Sequence, residues 1–264
     1  MHRPRAHVLL ASAALGTGLL LATTGCSGTY LKMGKPAAGT SKSGAAAASP
    51  ASTAPPSPAV SALTAAQAQS ALVTAADLGE PWGPTQGAAT WRDTLLKART
   101  TNPECQHLLD VLYADELLGG GNRAVIGLDD FDTGAQLHYQ VATRPRADID
   151  RTVAWLRTLP QKCARFTATT TSAGDQYVQV LDHRLPDAGD DRQGLRVTVT
   201  GPVAEDTGEA PVLTLDVAVV RVGGDALAVT DGALGEVPDD ATAAAAQLGA
   251  QRLAEVRKQG RVLV

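Results

Sequence analysis

Apolar residues recur at every second position in several stretches of the chain, which is the spacing of a β-strand with one buried face. Between Ala135 and Thr143 this alternation would turn Leu137, Tyr139 and Val141 inward. The residues of the stretch predicted to face outward are Gln136, His138 and Gln140. The stretch is therefore predicted to be an antiparallel strand that is covered on one side.

Further runs of β-branched and apolar residues are also predicted to be strands, because glycine and aspartate turns separate them. Together with 135–143, the predicted strands are 123–128, 165–170, 176–183, 195–200, 212–222 and 226–230. The sequence Asp-Phe-Asp-Thr-Gly joins strand 123–128 to strand 135–143, so these two strands are predicted to form a hairpin.

Other segments space their apolar residues three or four positions apart, as one face of a helix does. The predicted helices are a short one from Thr64 to about Ala71 that runs into 73–79, one from Pro103 capped by Asn102, one from Pro145 to Pro160, and one after Pro238 capped by Asp239 or Asp240. These elements predict an α+β domain: an antiparallel β-sheet of about six to seven strands, with helices packed mainly on one face.

The first residues have the order of a signal peptide. A basic start at Arg3 and Arg5 precedes an apolar run from Val8 to Ala22, and small residues follow it up to Cys26. The apolar run is shorter than the roughly 20 residues of a membrane-spanning helix. We therefore divide the chain into a signal peptide at 1–25, a tether at 26–62 and a folded domain at 63–258.

The segment Leu21-Ala22-Thr23-Thr24-Gly25-Cys26 resembles the lipobox of bacterial lipoproteins, although Thr23 stands where that family most often has leucine. The resemblance implies that Cys26 is lipidated and becomes the new N-terminus, which anchors the chain to the cell membrane on its extracytoplasmic side. Ordinary secretion and an uncleaved anchor are the alternatives. The following Gly, Ala, Ser, Thr and Pro residues are too polar and small to form a core, so they predict a flexible tether.

Two cysteines remain after Cys26, namely Cys105 and Cys163. In an exported protein such a pair is predicted to form a disulfide, here between two helices. A catalytic thiol is the alternative, but neither residue lies in a Cys-x-x-Cys motif.

Composition excludes some functions. The formal net charge is −4, and the basic residues are scattered among acidic ones, so nucleic acid is not an expected partner. The sequence also has no Gly-x-Ser-x-Gly motif, no zinc-binding histidine pattern and no phosphate-binding loop. We accordingly expect no catalytic residues, no cofactor and no metal site.

Two acidic groups are candidates for cation sites or for hydrolase carboxylates, but solvated turns are favoured for both. They are Asp129, Asp130 and Asp132 in the hairpin turn, and Asp182, Asp187, Asp190 and Asp191 farther along the chain. The aromatic residues best suited to line a ligand pocket are Trp82, Trp91, Tyr139, Trp155 and Tyr177. Core packing is the alternative role for each of them.

Three segments carry a family resemblance: residues 71–79 with Trp82 after them, the helix with Cys105 and Leu108-Leu109, and residues 155–163. They resemble the actinobacterial sensor domain-containing lipoproteins and the extracellular sensor domain of PknH-like protein kinases. The resemblance implies an antiparallel sheet flanked by helices, with a cleft for an unidentified ligand and no catalytic motif. The kinase member has two disulfides, whereas this chain offers one pair.

The sequence thus favours a membrane-anchored lipoprotein that displays a non-catalytic ligand-binding or sensor-like domain, with an envelope ligand or a protein as its partner. One alternative is a carrier that shields an envelope lipid or precursor in a cavity beneath the sheet. The second alternative is a cell-wall hydrolase that uses acidic residues.

Overall fold

The computed structural model describes residues 62–205, 207–238 and 240–262. The signal peptide, Cys26 and almost all of the tether lie outside the described residues, as does the candidate cap Asp239. Within the described part, one antiparallel sheet holds the strands β1 Trp82–Pro84, β2 Ala124–Asp130, β3 Gln136–Thr143, β4 Arg165–Thr170, β5 Gly174–Asp182, β6 Asp191–Thr200, β7 Val212–Val222 and β8 Asp225–Leu234. Their order across the sheet is 1-2-3-8-7-6-5-4.

The helices accompany this sheet at its ends and on its faces. They are α1 Ala65–Ser70, α2 Ala75–Leu78, a π-helical turn at Arg92–Leu96, α3 Pro103–Tyr113, α4 Arg146–Lys162 and α5 Ala241–Val262. The side chain of Asn102 accepts hydrogen bonds from the first turn of α3, as its capping position predicts. Helix α4 continues through Pro160 for two more residues, so the prediction that Pro160 ends the helix was wrong.

The sheet has eight strands rather than the predicted six to seven. The additional strand is β1, which has only three residues and a proline, so it carries too little alternation to be recognised. The prediction of an antiparallel sheet is confirmed, because every neighbouring pair of strands is antiparallel.

Helices cover both faces of the sheet, which corrects the prediction that they pack mainly on one face. In β7, Leu215 and Val217 belong to a core with α3 and α4, whereas Ala218 and Val220 belong to a second core with α1 and α5. Strands that are buried on both faces read as continuous apolar runs rather than alternating ones. Both cores lie within the described residues, so this part of the chain has a complete hydrophobic interior of its own.

The disulfide between Cys105 and Cys163 is present, and its Cα atoms lie 5.6 Å apart. Cys105 lies in the first turn of α3, and Cys163 directly follows α4. The predicted link between two helices is therefore confirmed. It holds both helices of one layer together over the strands β5–β8, across which α4 packs.

Candidate functional site

A cleft of about 410 Å³ opens over β2 and β3 on the same side of the sheet as α3. It forms there because β3 sends its apolar residues to the opposite core and leaves polar ones on this face. The cleft is lined by Thr85, Gly87, Ala88, Ala89, Arg92, Asp93, Tyr113, Asp115, Gly127, Gln136, Leu137 and His138. This volume suits a small organic ligand.

His138 lies at the floor of the cleft with about a fifth of its side chain exposed. Its Nδ1 lies 2.9 Å from Nε2 of Gln140 and 3.5 Å from Oδ1 of Asp115. Burial lowers the pKa of His138, and the charge of Arg92 lowers it further, while the Asp115 carboxylate opposes them. The imidazole is therefore neutral near pH 7.

The hydrogen bonds of Gln140 fix the tautomer of this imidazole. The Gln140 amide nitrogen also donates to the carbonyl of Asp115, and the Gln140 carbonyl accepts from Asn122, so the amide nitrogen is the atom that faces His138. Nδ1 of His138 then accepts a hydrogen bond, and the ring proton is on Nε2. His138 thus presents a neutral N–H donor at the floor of the cleft.

Arg92 closes one wall of the cleft and ties it to α3. Its guanidinium donates to Oδ1 of Asp115 at 2.5 Å and to the carbonyls of Leu112 and Tyr113 at the end of the helix. These partners engage both terminal nitrogens of Arg92, and the Asp115 carboxylate balances its charge, so the ion pair shapes the wall of the cleft. Asp115 adopts a left-handed backbone conformation, with φ of 54°, at the point where the chain leaves α3.

The rim of the cleft combines hydroxyl groups with very small side chains. The hydroxyl of Tyr113 donates to Oδ1 of Asp93 at 2.7 Å. The amide of Gln136 donates to Oγ1 of Thr85 and to the carbonyl of Gly87, which holds the loop over the sheet. Because residues 87–89 are glycine and alanine, they leave room above His138. The site can therefore bind a small polar molecule by hydrogen bonds.

The aromatic residues predicted to line a pocket are distributed over several parts of the fold. Tyr139 is fully buried in the α5 core and donates to the carbonyl of Ala71, whereas Trp91 is buried in the α3–α4 core. The remaining three lie elsewhere: Trp82 packs against the edge of the α5 core, Trp155 contacts His107 of α3 with tilted rings, and Tyr177 is exposed on β5. None of the five lines the cleft over His138.

The two acidic groups do not come together either. Asp130 and Asp182 end β2 and β5, which stand five strands apart in the sheet, a separation of roughly 24 Å across the strands. Paired glycosidase carboxylates lie within roughly 10 Å of each other. Asp130 also corrects the expectation of a solvated turn, because it is only 4% exposed and accepts from the backbone N–H groups of Asp132 and Thr133.

No three His, Cys, Asp or Glu side chains of the described ranges are grouped so that they could hold a metal ion. In the part of the chain that the structure describes, no helix has both the length and the hydropathy needed to cross a bilayer.

Sequence reasoning found only part of this site. The alternation in β3 identified Gln136, His138 and Gln140 as the residues of one face. The other walls come from the π-helical turn and the end of α3, where Arg92, Asp93, Tyr113 and Asp115 show no recognisable spacing. Their proximity to β3 depends on how the loop after β1 folds back, which local patterns do not specify.

No family model matches the chain, and no curated protein matches it. Among solved structures, the extracellular domain of PknH from Mycobacterium tuberculosis is similar, with a TM-score of 0.44 and 15% sequence identity. The similarity covers 75% of this chain and 99% of that domain. A likeness of this size assigns neither an activity nor a ligand nor a partner to this chain.

Proposed function

We propose that the chain is a membrane-anchored lipoprotein whose extracytoplasmic domain binds a small polar ligand in the cleft over His138, without catalysing a reaction. The observation that carries the binding proposal is the neutral imidazole of His138, which hydrogen bonds hold in one tautomer at the floor of an open cleft. A fixed donor in a partly buried place selects for a ligand with a matching acceptor.

The charges of the cleft favour a ligand that is uncharged or weakly cationic. Its ionisable lining residues other than His138 are Arg92, Asp93 and Asp115, together with the tyrosine hydroxyl of Tyr113. Arg92 is neutralised by Asp115, so Asp93 leaves one negative charge at the rim. Hydroxyl-rich envelope fragments such as sugars have the required size and hydrogen-bonding groups.

The carrier alternative has less support, because the spaces beneath the sheet are filled. On one face α4 packs its apolar residues against β5–β8, and on the other face α5 packs against β7 and β8. These cores occupy the places where a lipid cavity beneath the sheet would lie. The hydrolase alternative also has less support, because Asp130 and Asp182 lie too far apart to act as a pair of catalytic carboxylates.

The binding proposal is tested by a thermal-shift screen of the domain against soluble cell-envelope sugars and peptides. A ligand that binds only the native state raises the melting temperature, and the shift grows with its concentration. We expect His138→Ala to abolish the shift that such a ligand causes. Arg165→Ala is the matched control, because Arg165 is an exposed residue of the edge strand β4. A shift that survives His138→Ala would place the ligand elsewhere.

The anchor is tested separately on the exported protein. We expect intact-mass analysis to find a chain that starts at an acylated Cys26 and partitions into membranes. Cys26→Ala should abolish both the acylation and the membrane partition. An unmodified thiol at Cys26 in the membrane-bound protein would overturn this part of the proposal without affecting the cleft.

A further inference from the structure

A groove of about 630 Å³ lies at the end of the sheet where β7 ends and β8 begins. Four of its lining residues are basic, and one is acidic. The basic residues are Arg144, Arg146, Arg257 and Lys258. The acidic residue is Asp190, which is engaged by Nη1 of Arg221 at 3.1 Å and by the backbone N–H of Gly223 at 2.6 Å. The lining residues therefore carry a formal excess of positive charge, which the neighbouring carboxylates of Asp150, Asp225 and Glu255 reduce but which contrasts with the net charge of −4 of the whole chain.

Two of the basic groups point into solvent at the rim of the groove. The side chains of Arg146 and Lys258 are 68% and 70% exposed. Each has an acidic neighbour on its own helix, Asp150 at 3.6 Å and Glu255 at 2.6 Å. Ion pairs between side chains this exposed contribute little, so both cations remain available to an external anion.

The start of α4 and the side chain of Arg144 add N–H donors to the wall of the groove. Helix α4 begins at Arg146 after Pro145, which has no side chain to cap the N–H groups of the first turn. The N–H of Asp148 already donates to the carbonyl of Pro145, so an anion at this end of α4 is favoured by the N–H groups that precede Asp148 and by the helix dipole. Nε of Arg144 is also buried without a hydrogen-bond partner among the described residues. An anion seated here would meet donors as well as positive charge.

The tether joins the domain beside this groove. The backbone N–H of Leu63 donates to Oγ1 of Thr143, a residue of the groove wall, at 3.3 Å. The hydroxyl of Thr143 donates to the buried carboxylate of Asp225, and Arg257 donates to the same carboxylate. The chain that leads back toward Cys26 therefore begins at the groove.

We propose that this groove docks onto the phosphate groups of anionic lipid head groups in the membrane that carries the chain. The docking proposal rests on the proposed anchor at Cys26. If residues 27–62 form the flexible tether that the sequence predicts, its average end-to-end distance would be roughly 35 Å, which would permit the groove to reach the lipid surface. Positive charge beside the tether then meets negative charge at the membrane.

Docking in this way would orient the ligand cleft. Thr143 lies at the groove, whereas Gln136 at the other end of β3 lines the cleft over His138. Seven residues of extended chain separate these positions by roughly 23 Å. With the groove on the membrane, the cleft faces away from the lipid and remains open to soluble ligands.

The test uses the chain from Ser27 to Val264, which keeps both cores and the disulfide but lacks the acylated cysteine. Its sedimentation with phosphatidylglycerol vesicles is compared with its sedimentation with phosphatidylcholine vesicles at low salt. Each basic residue close to an anionic surface strengthens binding about fivefold. We expect the chain to bind phosphatidylglycerol vesicles and not phosphatidylcholine vesicles. The double substitution Arg146→Glu with Lys258→Glu should weaken this binding more than tenfold.

The matched control is Arg151→Glu with Arg165→Glu, which makes the same change of net charge at two exposed residues outside the groove. Vesicle binding weakened equally by both double variants would overturn the proposal, because it would reflect net charge alone. Absence of vesicle binding would also overturn the proposal. This holds even if the chain binds glycerol 3-phosphate in solution, because the groove would then bind a free phosphate and not a membrane surface. The result does not depend on acylation, so it is independent of the outcome at Cys26.

Discussion

Asp231 lies directly opposite Asp216 in the ladder between β7 and β8, and both side chains are fully buried. Arg196 donates two hydrogen bonds of 2.7 Å to the Asp216 carboxylate. No side chain of the described residues donates to Asp231. Burial, and then the charge of Asp216, raise the pKa of Asp231 to about 8. Asp231 is therefore protonated at neutral pH.

This raised pKa makes the stability of the fold depend on pH. Between the ordinary pKa of an aspartate and about 8, the native state holds a proton that the unfolded chain releases. The free energy of unfolding consequently falls as the pH rises through this window, by up to about 1.4 kcal/mol per pH unit. Asp231→Asn removes this pH dependence. The free energy of unfolding of the variant, relative to that of the original chain, should therefore rise by at least about 2 kcal/mol from pH 5 to pH 8.5.

Urea unfolding at the two pH values measures this difference for Asp231→Asn. Asp132→Asn is the control, because Asp132 is exposed in the turn after β2. A stability difference between Asp231→Asn and the original chain that stays constant over this pH range would show that Asp231 ionises normally in the folded protein.

A second prediction concerns Gly249, which lies in the middle of α5. On helix propensity alone, alanine at this position would stabilise the helix by about 1 kcal/mol. In the structure, however, a Cβ atom here would lie 2.1 Å from the hydroxyl of Tyr139 and within 3 Å of two ring carbons. Because Tyr139 is fully buried, the ring has little room to move, so we expect Gly249→Ala to destabilise the fold by about 1–3 kcal/mol.

Thermal unfolding of Gly249→Ala beside Gly224→Ala tests this prediction. An added Cβ at Gly224 meets no atom within 4 Å, and the backbone there is not in the left-handed region. We expect Gly224→Ala to change the melting temperature little. A stabilised Gly249→Ala would mean that α5 does not pack as closely on Tyr139 as the structure shows.

Sequence patterns predicted the strands better than they predicted the layers. The bounds of β4 and β7 agree with the predicted runs 165–170 and 212–222. The second helical layer was not predicted, because the clearest alternation lies in β3 and β6. Each of these strands has one polar face, which indicates a sheet that is covered on one side only. The apolar run of β7 was the signal of two-sided burial, but a run of that kind also fits one-sided burial beside a turn.

The candidate site was predictable only where one strand carries it. Gln136 and His138 follow from the alternation of β3, but the pairing of Arg92 with Asp115 joins two segments that are 23 positions apart. The buried acid Asp231 was unpredictable for a related reason. Its environment is set by β7, which brings Asp216 opposite it, and no local pattern encodes that register.

The disulfide gives a third prediction. It closes a loop over a sequence separation of 58 residues, for which loop-closure entropy corresponds to roughly 4 kcal/mol of stabilisation against the unfolded chain. We expect the double variant Cys105→Ala, Cys163→Ala to lose about 3–5 kcal/mol of unfolding free energy, including the loss of buried sulfur packing. Urea unfolding with and without a reducing agent measures it, and only the original chain should respond to the reductant.

The fourth prediction concerns the protonation of His138, which decides the kind of ligand that the cleft accepts. Because burial lowers its pKa, the folded protein resists protonation of His138, while the unfolded chain takes up a proton near pH 6.5. The contribution of this group to stability is therefore complete above pH 6.5 and is lost as the pH falls below that value. An NMR titration of the ring protons should give a midpoint below 6.5.

The variant Asp115→Asn provides the internal control for this titration. The Asp115 carboxylate is the one group that raises the pKa of His138, so its removal should move the midpoint lower still. Asp115 also pairs with Arg92, so the hydrogen-exchange protection of α3 must be compared in the same sample. A midpoint at or above 6.5 in the original chain would mean that the cleft carries an imidazolium near neutral pH. Anionic ligands would then be preferred to the neutral or cationic ones proposed for the site.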